Sequence, residues 1–218
     1  MRSPIDVAEV AEQLACCAEN LDEVDRHPQL ALFRRLAEGD PVEPSRLAAD
    51  VGLETAELIA RLGRWPSVHV DDDGRIVAFQ GLSIVETPHR LGVDGRTVYA
   101  WCAWDTLFLP ELIGRPAAIE STCPTTGQTI SLRVEPTGPR DVSPEQAALS
   151  FLLPGSRCGN DTIESFCRYI HFFASYEAAE AWTARHAATF VTSIKDGFDI
   201  GRRTIAAQWG DVLRRSPP

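Results

Sequence analysis

Between Tyr99 and Phe108 the chain reads Tyr-Ala-Trp-Cys-Ala-Trp-Asp-Thr-Leu-Phe, an apolar run interrupted by one thiol, Cys102, and one carboxyl, Asp105. A run this hydrophobic is driven into the interior, and it takes an ionisable group with it, where an unpaired carboxylate is costly. Any fold available to the chain must therefore give Asp105 partners or keep it protonated. The length of the run and its lack of alternation predict a helix, on which residues three apart share a face with Cβ atoms about 5 to 6 Å apart. On that geometry Cys102 and Asp105 reach one substrate atom. Desolvation among Trp101, Trp104, Leu107 and Phe108 pushes the carboxyl toward its protonated form, the state of a proton donor near neutral pH. The residues alone leave a second reading open. A free cysteine packs as a small hydrophobe, and Asp105 followed by Thr106 is suited to cap a helix running toward Pro110.

The rest of the composition narrows the class. With 218 residues and 44% hydrophobic content, the chain has enough apolar material for one large domain or two small ones. No uninterrupted apolar run approaches the roughly 20 residues that span a bilayer, and an acidic start (Asp6, Glu9, Glu12) is unlike a signal peptide, so a soluble cytoplasmic protein without membrane contact is the expectation. Six cysteines, at 16, 17, 102, 123, 158 and 167, are too sparse for a disulfide scaffold and are expected as thiols. Net charge is −10, and residues 1–80 hold eight Arg, no Lys and sixteen Asp plus Glu, a formal −8 that repels a phosphate backbone.

Apolar residues at helical spacing (Val7, Val10, Ala11, Leu14, Cys17, Ala18, Leu21) predict an amphipathic helix over 5–24, with Cys16 and Cys17 as packing residues. Further helices are predicted over 28–38, over 45–51 with Ser45 as N-cap, and from Glu54 to before Pro66. A hairpin follows over 67–79 around an Asp-Gly turn. Helices followed by a hairpin is the order of a winged helix, and the acidic charge makes this one a structural or protein-contact module that does not bind DNA. The predicted organisation is α+β: a winged-helix-like domain over 1–80, then an α+β domain over 81–218 with small antiparallel sheets. In the second part strands are expected over 82–86, on both sides of Val93-Asp94-Gly95, and over 117–121 and 129–134 around the turn Pro124–Gly127. Residues 136–144, rich in Pro and Gly, read as a loop; 147–153 and 165–173 read as strands, and 176–187 and 196–213 as helices. Two β-rich stretches with one central cysteine each hint at a duplicated strand–helix motif.

The second thiol of interest lies in Ser165-Phe166-Cys167-Arg168-Tyr169-Ile170-His171-Phe172-Phe173, where alternation puts Cys167, Tyr169, His171 and Phe173 on one strand face. Taken together, Tyr99-Ala100-Trp101-Cys102 with Asp105-Thr106-Leu107, Leu112-Ile113-Gly114-Arg115, Ser165-Phe166-Cys167 and His171-Phe172-Phe173-Ala174-Ser175 resemble the alkylmercury (organomercurial) lyase family. The resemblance is strong over about 98–135 and 164–213 and weak before them. It implies protonolysis of a carbon–mercury bond to a hydrocarbon and Hg(II) by two cysteines and an aspartate, which fall on Cys102, Cys167 and Asp105. It also implies a structural role for Cys123, no cofactor, an excess of small thiol as co-reactant for Hg(II) release, mercuric reductase as the Hg(II) acceptor, and an N-terminal domain without nucleic-acid contact. Cys158 has no assigned counterpart.

Chemistry accounts for the residue types. Mercury is soft and prefers thiolate, so an R–Hg cation is captured by one Cys and then the other. Two thiolates push electron density onto the bound carbon, and a dry neighbouring carboxyl hands it a proton. Trp101, Trp104, Phe108 and Phe166 are candidate lining for the organic group, each equally a core aromatic. Two departures bear on substrate range: Arg168 stands where a second Cys often follows, and Trp104 is bulkier than the aliphatic residue expected there. Competing readings are a thiolate metal-binding or sensing protein using Cys102, Cys123 and Cys167 without turnover, and a hydrolase pairing Cys167 or Cys102 with His171.

Overall fold

The structure is a computed structural model that describes residues 6–17, 23–152 and 165–215, without the side chains of residues 16, 17 and 23. Cys158, and any part played by the Cys16 and Cys17 thiols, lie outside what is described. The chain is α+β. Four helices come first: α1 (Val7–Cys17), α2 (Glu23–Leu36), α3 (Pro44–Val51) and α4 (Thr55–Leu62). Two features differ from expectation. Helix α2 begins well before residue 28 and carries Pro28 inside it. Helix α3 opens on Pro44, whose fixed φ suits a first turn, with Glu43 rather than Ser45 at the N-cap.

An eight-stranded antiparallel sheet follows, with spatial order β1-β2-β3-β5-β4-β6-β7-β8. Its strands are β1 (Val68–Val70), β2 (Ile76–Phe79), β3 (Leu82–Ser83), β4 (His89–Val93), β5 (Arg96–Ala100), β6 (Ala117–Thr122), β7 (Thr129–Glu135) and β8 (Gly138–Ser143). Alternation is visible in β6, where Ala117, Ile119 and Ser121 are buried and Ala118, Glu120 and Thr122 exposed. Asp94 and Gly95 both take positive φ (47° and 78°), the conformation a two-residue hairpin needs to join β4 to β5. The stretch 136–144, expected as a loop, is strand β8 for most of its length. It is an edge strand, the one place where Pro139 costs no ladder hydrogen bond.

Helix α5 (Asp105–Ile113) leaves the end of β5 after four residues. A second antiparallel sheet has the order β10-β9-β11, built from β9 (Ala148–Leu152), β10 (Phe172–Phe173) and β11 (Thr189–Ser193). Helix α6 (Tyr176–Thr183) lies between β10 and β11, and α7 (Ile194–Arg215) closes the chain. The expected strand over 165–173 is instead a 3-10 turn, Cys167–Tyr169, followed by the short β10. Strand β11 had no counterpart in the sequence reading.

The core crosses the expected boundary at residue 80. Strand β2 pairs with β3, and β3 with β5, so the sheet is continuous through it. Phe33 of α2 packs tilted against Phe79 at 4.9 Å between centroids and meets Trp209 of α7 edge-on at 5.8 Å. Helix α1 packs along α7, and α5 lies between α2 and α7. Among the described residues no helix is long and apolar enough to cross a membrane.

Candidate active site

Strand β5 delivers the chain to Ala100 in the sheet, and α5 begins only at Asp105, so Cys102 sits in the turn between them rather than on a helix with Asp105. The turn achieves the expected proximity by another route. The Cys102 N–H donates to Asp105 Oδ2 at 2.9 Å, and the Thr106 hydroxyl donates to the Ala103 carbonyl at 2.7 Å. The carboxyl thus folds back over the start of its own helix, where exposed N–H groups and the helix dipole favour negative charge.

Cys167 arrives from the other sheet. Its 3-10 turn is braced by buried Ser150 of β9, whose hydroxyl donates to the Tyr169 carbonyl (2.8 Å) and accepts from the His171 N–H (3.0 Å). The Ala103 N–H donates to the Ile170 carbonyl at 3.2 Å, tying the two thiol-bearing turns together directly. As a result, Cys102 Sγ, Cys167 Sγ and a carboxylate oxygen of Asp105 all lie within 4.8 Å of one another. Cys167 Sγ is 4.0 Å from Asp105 Oδ2. All three side chains are buried, Cys102 completely.

Burial dominates their electrostatics. It pushes the Asp105 carboxyl up to about 7, against the opposing pull of its hydrogen bonds with the Cys102 side chain and backbone. Burial, followed by the Cys167 thiol and the Asp105 charge, drives the Cys102 thiol well above the usual cysteine range. Near neutral pH the recess therefore holds a carboxyl able both to take and to give a proton, next to a thiol that keeps its own until something displaces it.

Around this triad, Trp104 contacts Phe108, Phe151 and Phe166 edge-on at centroid distances of 4.9, 5.3 and 5.9 Å, and its Nε1–H donates to the Gly197 carbonyl of α7 at 3.0 Å. Phe151 had not been singled out in the sequence. Trp101 stands apart, half-buried, with His69 of β1 edge-on at 5.3 Å. Exposed Arg168 lies over the ring of Tyr169, 5.6 Å from its centroid.

The other candidate groups separate from the triad. Among the described residues, Cys102, Asp105 and Cys167 form the one group of three or more His, Cys, Asp or Glu side chains able to share an ion, so the three-thiolate set with Cys123 is not formed. Cys123 immediately follows β6 and is buried. Burial raises its thiol, but the Thr126 hydroxyl and the N–H groups of Ala174, Thr126 and Thr125 outweigh that and leave it below the usual range. His171 Nε2 is 2.9 Å from the Arg168 carbonyl, and its ring meets Trp182 edge-on at 5.2 Å, so it clasps the turn carrying Cys167 rather than serving as a base for a thiol.

One residue of the site had no place in the sequence reading. Gly81 joins β2 to β3 at φ +95°, its carbonyl accepts the Trp101 N–H at 2.9 Å, and a Cβ on it would stand 2.7 Å from Asp105 Cγ. In sequence, Gln80-Gly81 reads as nothing more than a tight turn.

Known proteins are similar to this chain in sequence and in fold. The MerB family model, alkylmercury lyase, matches residues 82–206, which include the whole triad. The alkylmercury lyase of Staphylococcus epidermidis is 42% identical over 171 residues, 78% of this chain and 78% of the relative. Those of Pseudomonas putida and Streptomyces lividans are 37% and 35% identical, over 79% and 78% of this chain and 80% and 78% of the relatives. A crystal structure of the mercury-bound form of MerB2 has the same fold, with a TM-score of 0.73 at 23% identity over 92% of this chain and 99% of that one. Identities at this level, sustained over more than three quarters of each sequence, make the chain a member of the alkylmercury lyase family.

Proposed function

We propose that the protein cleaves the carbon–mercury bond of R–Hg(+) compounds by protonolysis, with Cys102 and Cys167 as mercury ligands and Asp105 as the proton carrier. The observation that carries this reading is two thiols and a carboxyl within 4.8 Å of one another in a buried recess. A zinc or calcium site calls for preformed charge or several oxygen donors. A soft cation instead bonds to sulfur as each proton leaves.

The steps balance as follows. One thiol bonds to R–Hg(+) and releases its proton to water. The second thiol then bonds to mercury and passes its proton to Asp105. Electron density donated by both sulfurs makes the mercury-bound carbon basic, the carbon–mercury bond breaks, and Asp105 delivers the held proton to carbon. The products are R–H and Hg(II) held by two thiolates, with Asp105 returned to its starting state. Once R–Hg(+) fills the recess, burial keeps the second proton on the carboxyl until carbon takes it, and the ring cluster of Trp104, Phe108 and Phe166 offers apolar surface to the organic group.

Hg(II) leaves by exchange with an excess of small thiol, and mercuric reductase in the cytoplasm is its acceptor. No cofactor enters the reaction. Residues 1–80 are a winged-helix-like module that shares its sheet and core with the catalytic part over 81–218. Its order of helices and hairpin supports that reading, and its formal −8 opposes a role on DNA.

The test is to give reduced protein phenylmercury and excess small thiol. Repeated, stoichiometric release of benzene is expected; tight mercury uptake with no hydrocarbon overturns the reading in favour of binding without turnover. Asp105→Asn should capture mercury and lose turnover, while Cys102→Ser and Cys167→Ser lose both.

A further inference from the structure

We propose that Gly81 is the positioning residue for the proton-carrying carboxyl: its bare Cα is the surface against which Asp105 is held, and its carbonyl anchors the turn that carries Cys102. The inference rests on the reading of Asp105 as proton carrier. Three observations support it. A Cβ at Gly81 would lie 2.7, 2.9 and 3.1 Å from Asp105 Cγ, Oδ1 and Oδ2, so the whole carboxyl group occupies the space a side chain would fill. The same residue's carbonyl accepts the Trp101 N–H at 2.9 Å, immediately before Cys102. On its other side the carboxyl is fixed by the Cys102 N–H at 2.9 Å, with Cys167 Sγ 4.0 Å from the same oxygen.

Asp105 thus sits between the backbone of Gly81 and the two sulfurs, and the depth of the Gly81 surface sets how far the acid stands from the captured metal. Any side chain at 81 forces the carboxyl to move, because the rest of the contact is backbone. A displacement of about 1 Å between reacting groups is enough to cost on the order of 100-fold in rate. Capture by the thiols does not need the carboxyl in that place, so binding and turnover should separate.

The test compares the full-length reduced protein with Gly81→Ala, Asp105→Ala, the double variant, and Gly74→Ala. Gly74 also has positive φ (+77°) but nothing within 4 Å of a built Cβ, so it reports backbone strain without a collision. Phenylmercury capture is followed by thiolate-to-mercury charge-transfer absorbance, and benzene release in a single turnover. Gly81→Ala should capture phenylmercury stoichiometrically and release benzene on the order of 100-fold more slowly, while Gly74→Ala matches the parent in both. Gly81→Ala should also melt about 5 °C or more below Gly74→Ala, and adding Asp105→Ala should restore most of that difference by removing the colliding group. Parent-like release by Gly81→Ala beside an inactive Asp105→Ala overturns the role of Gly81 alone. Full release by Asp105→Ala overturns the reading beneath it. Loss of capture together with release in Gly81→Ala, in a variant that still folds, also overturns the positioning role. If Gly81→Ala does not fold, a folded double variant supports the collision and an unfolded one overturns it.

Discussion

A carboxyl raised from 3.8 to about 7 binds its proton more tightly in the folded protein than in the unfolded chain, and this has a sign for stability. Well below pH 3.8 Asp105 is protonated in both states and costs nothing. As pH rises toward 7 the unfolded chain ionises first, so folding stability falls, by about 4 kcal/mol for a shift of this size, and then levels off. Asp105→Asn keeps an acceptor for the Cys102 N–H and cannot ionise. It should lie within about 1 kcal/mol of the parent at pH 4 and exceed it by up to about 4 kcal/mol at pH 8, as read from urea denaturation at the two pH values. The variant expected to stop turnover is thus the more stable one in mild alkali. At this scale the sequence was informative: an acid and a thiol three residues apart among tryptophans announced a dry pair. The helix expected to align them was not the means, because Asp105 opens α5 and Cys102 precedes it. Gly81 was invisible, since its service to Asp105 is a close approach across the fold that no local pattern encodes.

Helix α7 carries three glycines, and two of them invite opposite predictions. An exposed helical Gly→Ala change gains roughly 1 kcal/mol from propensity. At Gly210 a Cβ meets only Arg214 Nη1 at 3.3 Å, the movable end of a long side chain, so Gly210→Ala should stabilise by up to about 1 kcal/mol. At Gly197 a Cβ would stand 2.6 Å from Leu149 Cδ2 and 3.2 Å from Leu107 Cδ1, inside the packing of β9, α5 and α7. Overpacking of this kind costs about 1–3 kcal/mol, so Gly197→Ala should be destabilised by about 1–2 kcal/mol in urea despite its better propensity. It should also disturb Trp104, whose Nε1–H is held by the Gly197 carbonyl. Elements with strong periodicity, such as the alternating β6 or the amphipathic α7, could be read from sequence. Those set by tertiary contacts could not: Gly138–Ser143 has loop composition yet pairs with β7, and the alternating stretch around Cys167 is drawn into a 3-10 turn by Ser150 and Ile170.

At the scale of the molecule, the cluster of Phe33, Phe79 and Trp209 joins helices from one end of the sequence, the sheet in the middle and the last helix. Phe33→Ala should cost about 3–5 kcal/mol. Because β2, β3 and β5 are continuous, the variant and the parent should each unfold in one transition with coincident far- and near-ultraviolet circular dichroism. A separate early transition for residues 1–80 would contradict this. That continuity was not legible beforehand, since a change from helices to strands at residue 80 looks the same whether or not the sheet runs across it. A molecule with net charge −10 draws in cations of every kind, so its surface does not choose among them. Selection then falls to the sealed Cys102 thiol, a weak ligand until an incoming ion displaces its proton. At neutral pH a thiol held in its protonated form handicaps zinc and other borderline ions more than it does a soft ion of high sulfur affinity.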